Sequence, residues 1–204
     1  MGKTSPRHKK EKDELLQRLN RGSKKWNTSH PRHRLLDALW AFTQYYDRNH
    51  EDLKKWKRLY GKVPSRQRAL LEKTTGYTGK LKKVEHRLAE NQKLCQRIVE
   101  NALAFYRVDR SELDAHIKLA MKNKAVADKV SVSQALKHFV RDWSEEGRVE
   151  RAHAFPHILA ALETIYPERD SGEPVKVLLP GSGLGRLGHE VSALGGKLCA
   201  SYLS

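Results

Sequence analysis

The sequence predicts an α/β chain: a helical N-terminal lobe followed by the first strand, loop and helix of a sheet-based ligand-binding domain, incomplete within these residues. Three observations predict it. Apolar residues recur at three- and four-residue spacing through most of residues 29–166, the period of amphipathic helices. Residues 175–194 then read VKVLLPGSGLGRLGHEVSAL, a β-prone run entering a turn with glycines at 181, 183 and 185, and a helical pattern follows. That is the layout of a strand, a ligand-cradling loop and a helix N-terminus. Finally, only GKLCASYLS follows Gly195, without Asp or Glu. Nucleotide folds place an acidic ribose-binding residue about 20 residues past such a loop. An ordinary glycine turn between a strand and a helix would read the same way, so the loop alone leaves both readings open.

The elements follow in order. Residues 1–28 read as a flexible basic leader with at most a short helix near residues 13–19. Residues 29–170 form the helical lobe. Ser29 is a suitable cap and Pro31 suits a first turn, so a helix opens there, with Leu35, Leu39, Phe42 and Tyr46 on one face. Leu53, Trp56 and Tyr60 extend the stripe to Gly61 and Pro64, and Trp56 reads as core. Pro64 starts a shorter segment to Lys73, and residues 74–79 read as a loop. Leu81, Val84, Leu88, Cys95, Ile98, Ala102 and Phe105 mark a long amphipathic helix whose stripe is interrupted by polar Asn91. Residues 111–129 are weaker, a helix or a connector. Ser133 is the expected cap of the next helix, which gathers Leu136, Phe139, Val140 and Trp143. Gly147 breaks that helix, and residues 149–166 resume the spacing with a turn or kink at Pro156. Residues 171–204 begin the sheet domain. Leu184, Leu187, Val191 and Leu194 give its helix an apolar face, and residues 197–203 could start a second strand.

Composition narrows the class. The chain has 204 residues, 38% hydrophobic and 31% charged, with no apolar run of bilayer length. Cys95 and Cys199 stand alone, which argues against a disulfide framework or a zinc site built on cysteine and fits a reducing compartment. The net charge of +16 is unevenly placed: residues 1–93 hold 25 Lys and Arg against 10 Asp and Glu, an excess of +15. Such a lobe is either a solvated helical face or a surface for phosphate backbones and other anions, and no recognition motif accompanies the charge.

Two segments carry a family resemblance together. They are HFVRDWSEEGRVER, residues 138–151, and VLLPGSGLGRLGHEVSALG, residues 177–195, with FPHILAALETIYP between them. They resemble the carnosine N-methyltransferase family, whose pattern has FVRDWS-x-EG-x-x-ER shortly before a strand ending in PG-x-GLGRL. The resemblance implies a Rossmann-like methyltransferase domain that binds S-adenosylmethionine. It also implies methyl transfer to an imidazole nitrogen of carnosine, giving anserine, or of a related histidine-containing dipeptide. By resemblance Arg141 holds the cofactor's carboxylate, while Gly181 and Gly183 let the loop backbone approach it. His138 stands where the family commonly has Gln, three positions before Arg141, and is assigned to the same cofactor contact. A salt bridge to Asp142 or Glu145 is the competing role for Arg141. Asp142 and Trp143 receive no chemistry, Trp143 being read as core and Asp142 as a residue that could simply orient an arginine.

The family's ribose-binding acid and substrate pocket belong downstream of Gly195. The chain is therefore expected to be a fragment with little or no activity, leaving the apolar face of residues 186–194 uncovered. No catalytic residue and no metal ligand is assigned. Ser182 is not in a nucleophile elbow, and His189 and Glu190 are not taken as an acid–base pair. The expected compartment is the cytoplasm, with the nucleus as an addition. The partner is a carnosine-like dipeptide, with a homodimer as a further option and no membrane. The competing function is a non-enzymatic basic helical module for nucleic acid or another anionic partner.

Overall fold

The computed structural model describes residues 6–21, 26–167, 175–181, 183–194 and 198–201. It divides into two compact units, residues 1–132 and 133–204. The division falls in the first turns of a helix, upstream of the boundary at 171 expected from sequence.

The first unit holds α1 (Pro6–Asn20), α2 (Pro31–Thr43), α3 (Tyr45–Gly61), α4 (Ser65–Thr75), α5 (Tyr77–Tyr106), α6 (Arg110–Lys122) and the start of α7 (Lys129–Trp143). Its core joins Leu36 and Leu39 of α2 to Val99, Val108 and Leu113, with Phe42, Leu103 and Ile117 packed around them. The expected leader is in fact a helix: Leu16 and Leu19 on one face of α1 are buried. The cap of α2 is His30 rather than Ser29. Its Nδ1 accepts the Arg32 N–H at 3.0 Å while Nε2 lies 2.9 Å from the Arg21 carbonyl.

The single helix expected from residue 29 to 61 is two, parted at Gln44. The reason lies on α5. The Gln92 side chain accepts the Tyr46 N–H at 2.8 Å and donates to the Thr43 carbonyl at 3.4 Å, so it satisfies orphan groups of both helix ends. Its neighbour Asn91 donates to the Tyr45 hydroxyl at 3.0 Å. The polar interruption in the α5 stripe is thus a helix-junction device. Trp56, read as core, is 46% exposed. The expected loop at 74–79 shrinks to Gly76, left-handed at φ +58°. α7 is capped by Asp128, whose Oδ1 accepts the N–H groups of Val130 and Ser131, and Ser133 lies inside the helix.

In the second unit, α7 ends at Trp143 and α8 (Arg148–Ile165) follows after a short turn, running through Pro156 without ending there. β1 (Val175–Leu178) pairs in parallel with β2 (Leu198–Ser201), in register from Val175 against Leu198 to Leu178 against Ser201. Parallel neighbours need a crossover, and α9 (Arg186–Ala193) supplies it. The α9 face is covered. Val191 is fully buried, and it packs with Leu179, Leu187 and Leu194 against Leu159, Leu162 and Tyr166 at the α8 end. Among the described residues no helix is long and apolar enough to cross a membrane.

One buried charge ties the first unit together. Arg32 is only 4% exposed and forks onto Glu112, with Nε–Oε1 at 2.9 Å and Nη2–Oε2 at 2.6 Å. It also donates to the carbonyls of Tyr106 and Arg107 and to Asn20 Oδ1. α1, α2, the α5 terminus and α6 therefore meet on one guanidinium. Arg32→Ala would leave a carboxylate and two carbonyls without their donor, a loss of about 3 kcal/mol for a broken buried pair. Glu112→Gln keeps the shape and should cost less, about 1–2 kcal/mol. Urea unfolding of the two variants checks the order. Equal, negligible losses would mean the junction holds without the charge.

Candidate functional site

The site is built where α7 ends against the glycine loop. Consecutive α7 residues grip one loop residue: Asp142 Oδ2 accepts the Leu184 N–H at 3.0 Å, and Trp143 Nε1 donates to the Leu184 carbonyl at 3.2 Å. Both backbone groups of Leu184 are therefore fixed by side chains. Asp142 is buried, and its other oxygen accepts Arg141 Nε at 2.7 Å. Burial alone would raise the Asp142 pKa. The hydrogen bonds from Arg141 and from the Leu184 amide, with the Arg141 charge, outweigh burial, and the carboxyl sits below its ordinary value.

Close approach dictates two glycines. A Cβ on Gly183, where φ is +59°, would lie 2.6 Å from Asp142 Oδ2 and 2.9 Å from Arg141 Nη2. A Cβ on Gly147 would lie 2.0 Å from the Arg141 carbonyl oxygen. That same carbonyl accepts Arg151 Nη1 at 2.6 Å, while Arg151 Nη2 donates to the Ser144 carbonyl at 2.9 Å. Arg151 thus caps the C-terminus of α7 from the next helix, where a cation is favoured.

Beside this corner opens a cavity of about 460 Å³. Phe155, Leu179 and Leu187 line it with apolar surface, and Arg141, Gly181 and Arg186 add polar edges. Its size and mixed lining suit a small amphipathic ligand. Arg186 is already paired with Glu190 and lies over the Trp143 ring, its Cζ 5.1 Å from the centroid. Arg141 keeps 41% of its side chain exposed, and the nitrogen that Asp142 engages is Nε.

The residues expected from sequence thus fall in distinct places. Arg141 and Gly181 line the cavity, and nothing lies within 4 Å of a Cβ built on Gly181. Gly183 faces the Arg141–Asp142 pair. His138 is half-buried one turn before Asp142 and is not among the lining residues. Trp143, expected in the core, is exposed and stands against His189, with ring centroids 5.4 Å apart. Glu190 pairs with Arg186, in keeping with its exclusion as an acid–base partner. Ser182 lies outside the described residues. Sequence reasoning missed Gly147 and Arg151 as parts of the site, although both are fixed letters of the DWS-x-EG-x-x-ER pattern. Asp142 orients Arg141, the one role the sequence left open for it.

Comparison with known proteins covers the residues of this corner. The sequence model of the family described as carnosine N-methyltransferase matches residues 118–202. A mouse protein named carnosine N-methyltransferase is 32% identical over 157 residues, covering 76% of this chain and 38% of the relative. The fission yeast protein of that name is 26% identical over 166 residues, covering 79% and 42%. One from Dictyostelium discoideum is 38% identical over 91 residues, covering 43% and 18%. The chain spans about two-fifths of the length of the mouse and yeast relatives. Over residues 118–202 the chain is similar to the carnosine N-methyltransferase family.

The lowered pKa of Asp142 sets a pH signature. Its folded value lies below its unfolded one, so the stability it contributes is complete above the ordinary aspartate value of about 3.9. That contribution is lost as pH falls through the lower folded value. Asp142→Asn should therefore melt below the wild type at pH 7, with the gap closing as pH falls below the ordinary aspartate range. Thermal melts across that range check it, and a gap that ignores pH would deny the role of the ionised carboxylate.

Proposed function

We propose that residues 133–204 form the cofactor-binding corner of an S-adenosylmethionine-dependent N-methyltransferase with a Rossmann-like domain. The substrate of the whole protein, on this reading, is carnosine or a related histidine-containing dipeptide, methylated on an imidazole nitrogen. The observation that carries the reading is the exposed Arg141 guanidinium at the mouth of a cavity walled by the glycine loop. The chemistry of the lining fits such a cofactor: a planar cation for a carboxylate, an open glycine backbone and apolar walls. The bound cofactor would supply an electrophilic methyl group.

The residues of this chain have binding and orienting roles in this reading. Arg141 holds the carboxylate through its terminal nitrogens, and Asp142 fixes the guanidinium by its Nε. Gly181 leaves room for close backbone approach. Gly183 serves the cofactor indirectly, by letting the loop reach Asp142. His138 has the weakest place, acting through α7 from beside the corner. Holding donor and acceptor in line is the main means of accelerating a methyl transfer of this kind.

Arg141→Ala should weaken binding of S-adenosylmethionine about tenfold to a hundredfold, the loss of a charge-assisted hydrogen bond of about 1.5–3 kcal/mol. Arg141→Lys should restore only part, since an ammonium lacks the planar fork. Gly183→Val should do at least as much damage, and His138→Gln should leave binding intact or better. Calorimetric titration, with melts as a folding control, measures all four. Unchanged affinity in folded Arg141→Ala would reduce Arg141 to a partner of Asp142 and end this reading of the site.

A further inference from the structure

The first unit holds a second group of chemistry-bearing side chains, unrelated to the glycine loop. His33 and Asp37 stand one turn apart on α2, and His116 reaches them from α6. His33 Nδ1 lies 3.0 Å from Asp37 Oδ2, and His116 Nε2 lies 2.7 Å from Asp37 Oδ1. One potential ligand atom from each of the three falls within 4.8 Å of the others. The two imidazoles meet edge to face with centroids 4.8 Å apart.

We propose that His33, Asp37 and His116 form a three-ligand Zn²⁺ site joining α2 to α6.

The donor set is two imidazole nitrogens and one carboxylate oxygen, which suits zinc with water completing a tetrahedron. Ligand atoms at zinc bond lengths of about 2.0–2.1 Å stand roughly 3.3 Å apart in a tetrahedron. The separations of 3.0 and 2.7 Å run to the two different oxygens of Asp37, and one ligand atom from each residue lies within 4.8 Å of the others, so closing on one ion takes side-chain shifts of about 1–1.5 Å. The spacing of His33 and Asp37 puts both on one helix face, the arrangement by which helical metal motifs present two ligands at once.

The decisive atom is His33 Nδ1. It is closed off from solvent and makes no hydrogen bond of acceptable geometry, although a carboxylate oxygen lies 3.0 Å away. A simple polar clamp, with His116 donating to Asp37, accounts for His116 and leaves that nitrogen unsatisfied. A cation shared by the three accounts for all of them. The nearby His50–Glu85 pair shows the contrast: there Lys57 takes up the same carboxylate at 2.8 Å. No lysine or arginine does so at Asp37 among the described residues. Asp37 is 48% exposed, which gives a metal a way in and leaves room for its water.

The test uses the chain of 204 residues, stripped with chelator and dialysed against Zn²⁺. One zinc per chain is expected by metal analysis. Affinity should fall at least about tenfold in each of His33→Gln, Asp37→Asn and His116→Gln. Co²⁺ in place of zinc should give the intense visible bands of a tetrahedral site in the wild type and not in the variants. Zinc should also raise the melting temperature of the wild type alone. Asp37→Asn, at the half-exposed position, keeps the test valid if the more buried histidine variants unfold. Failure of the wild type to bind stoichiometric zinc at micromolar concentrations would overturn the proposal. So would a folded Asp37→Asn or His33→Gln that keeps both the metal and the cobalt spectrum.

Discussion

The second unit depends on the grip of Asp142 and Trp143 on the two backbone groups of Leu184. A glycine-rich loop is entropically costly to order, because its residues lose more freedom on folding than any others. Here two adjacent side chains at a helix end supply the restraint. The rest of the corner follows from their reach. Gly183 has no room for a side chain because the loop must come down onto Asp142. Gly147 has none because the chain must turn back tightly over the Arg141 carbonyl so that α8 can start and bring Arg151 to cap α7. α8 in turn carries the leucines that cover α9.

Both units use a buried charge at a helix junction, and both satisfy it fully enough to offset its desolvation. Arg32 has two carboxylate oxygens, two carbonyls and an amide oxygen as acceptors. Asp142 has one guanidinium and one backbone amide. Apolar residues of similar size could stabilise either junction as well, but they would not fix direction. At Asp142 direction is what matters, since the carboxylate determines where both the loop backbone and the guanidinium of Arg141 point. The short α2–α3 break is managed by the same logic with a neutral group, Gln92.

Much of the order of elements was legible from apolar spacing, because the apolar residues of α5 and α9 recur at helical spacing and include buried Leu81, Cys95, Val99 and Val191. Periodicity could not reveal the break at Gln44, since the stripe runs on in register while the stop is imposed by a side chain 48 positions later, Gln92. It also could not place Trp56 or Trp143. An aromatic residue on an apolar stripe reads as core, yet Trp56 is 46% exposed, and Trp143 is exposed with its ring against the polar side chains of His189 and Arg186. The helix in the leader was hidden by charge, its mostly basic and acidic residues masking two buried leucines. Within the site, Arg141 and Gly181 were legible through the family pattern. Asp142 was legible as the salt-bridge partner of Arg141, but neither its hold on the loop nor Arg151 was, because a motif gives letters and withholds which of them touch a ligand and which hold the others. Surface pairs such as Lys54 with Glu51 and Lys57 with Glu85 are already counted in the net basic excess of residues 1–93 and leave it in place.

From sequence, a salt bridge of Arg141 and a ligand role for Arg141 look like rivals, and the geometry makes them complementary. A guanidinium is a planar fork with five N–H donors, and Asp142 engages it at Nε, the donor nearest the chain. That bond fixes the plane of the group and raises its already high pKa further, while 41% of the side chain stays exposed at the cavity mouth. A free arginine there would pay rotamer entropy on meeting a carboxylate; one already held by Asp142 has much of that ordering in place before a ligand arrives. Asp142 is itself immobilised by the Leu184 amide, so the orientation of Arg141 is inherited from the glycine loop. The two motifs of the family pattern, some forty residues apart in the chain, are thus one device. The loop that walls the cavity also aims the cation at its mouth.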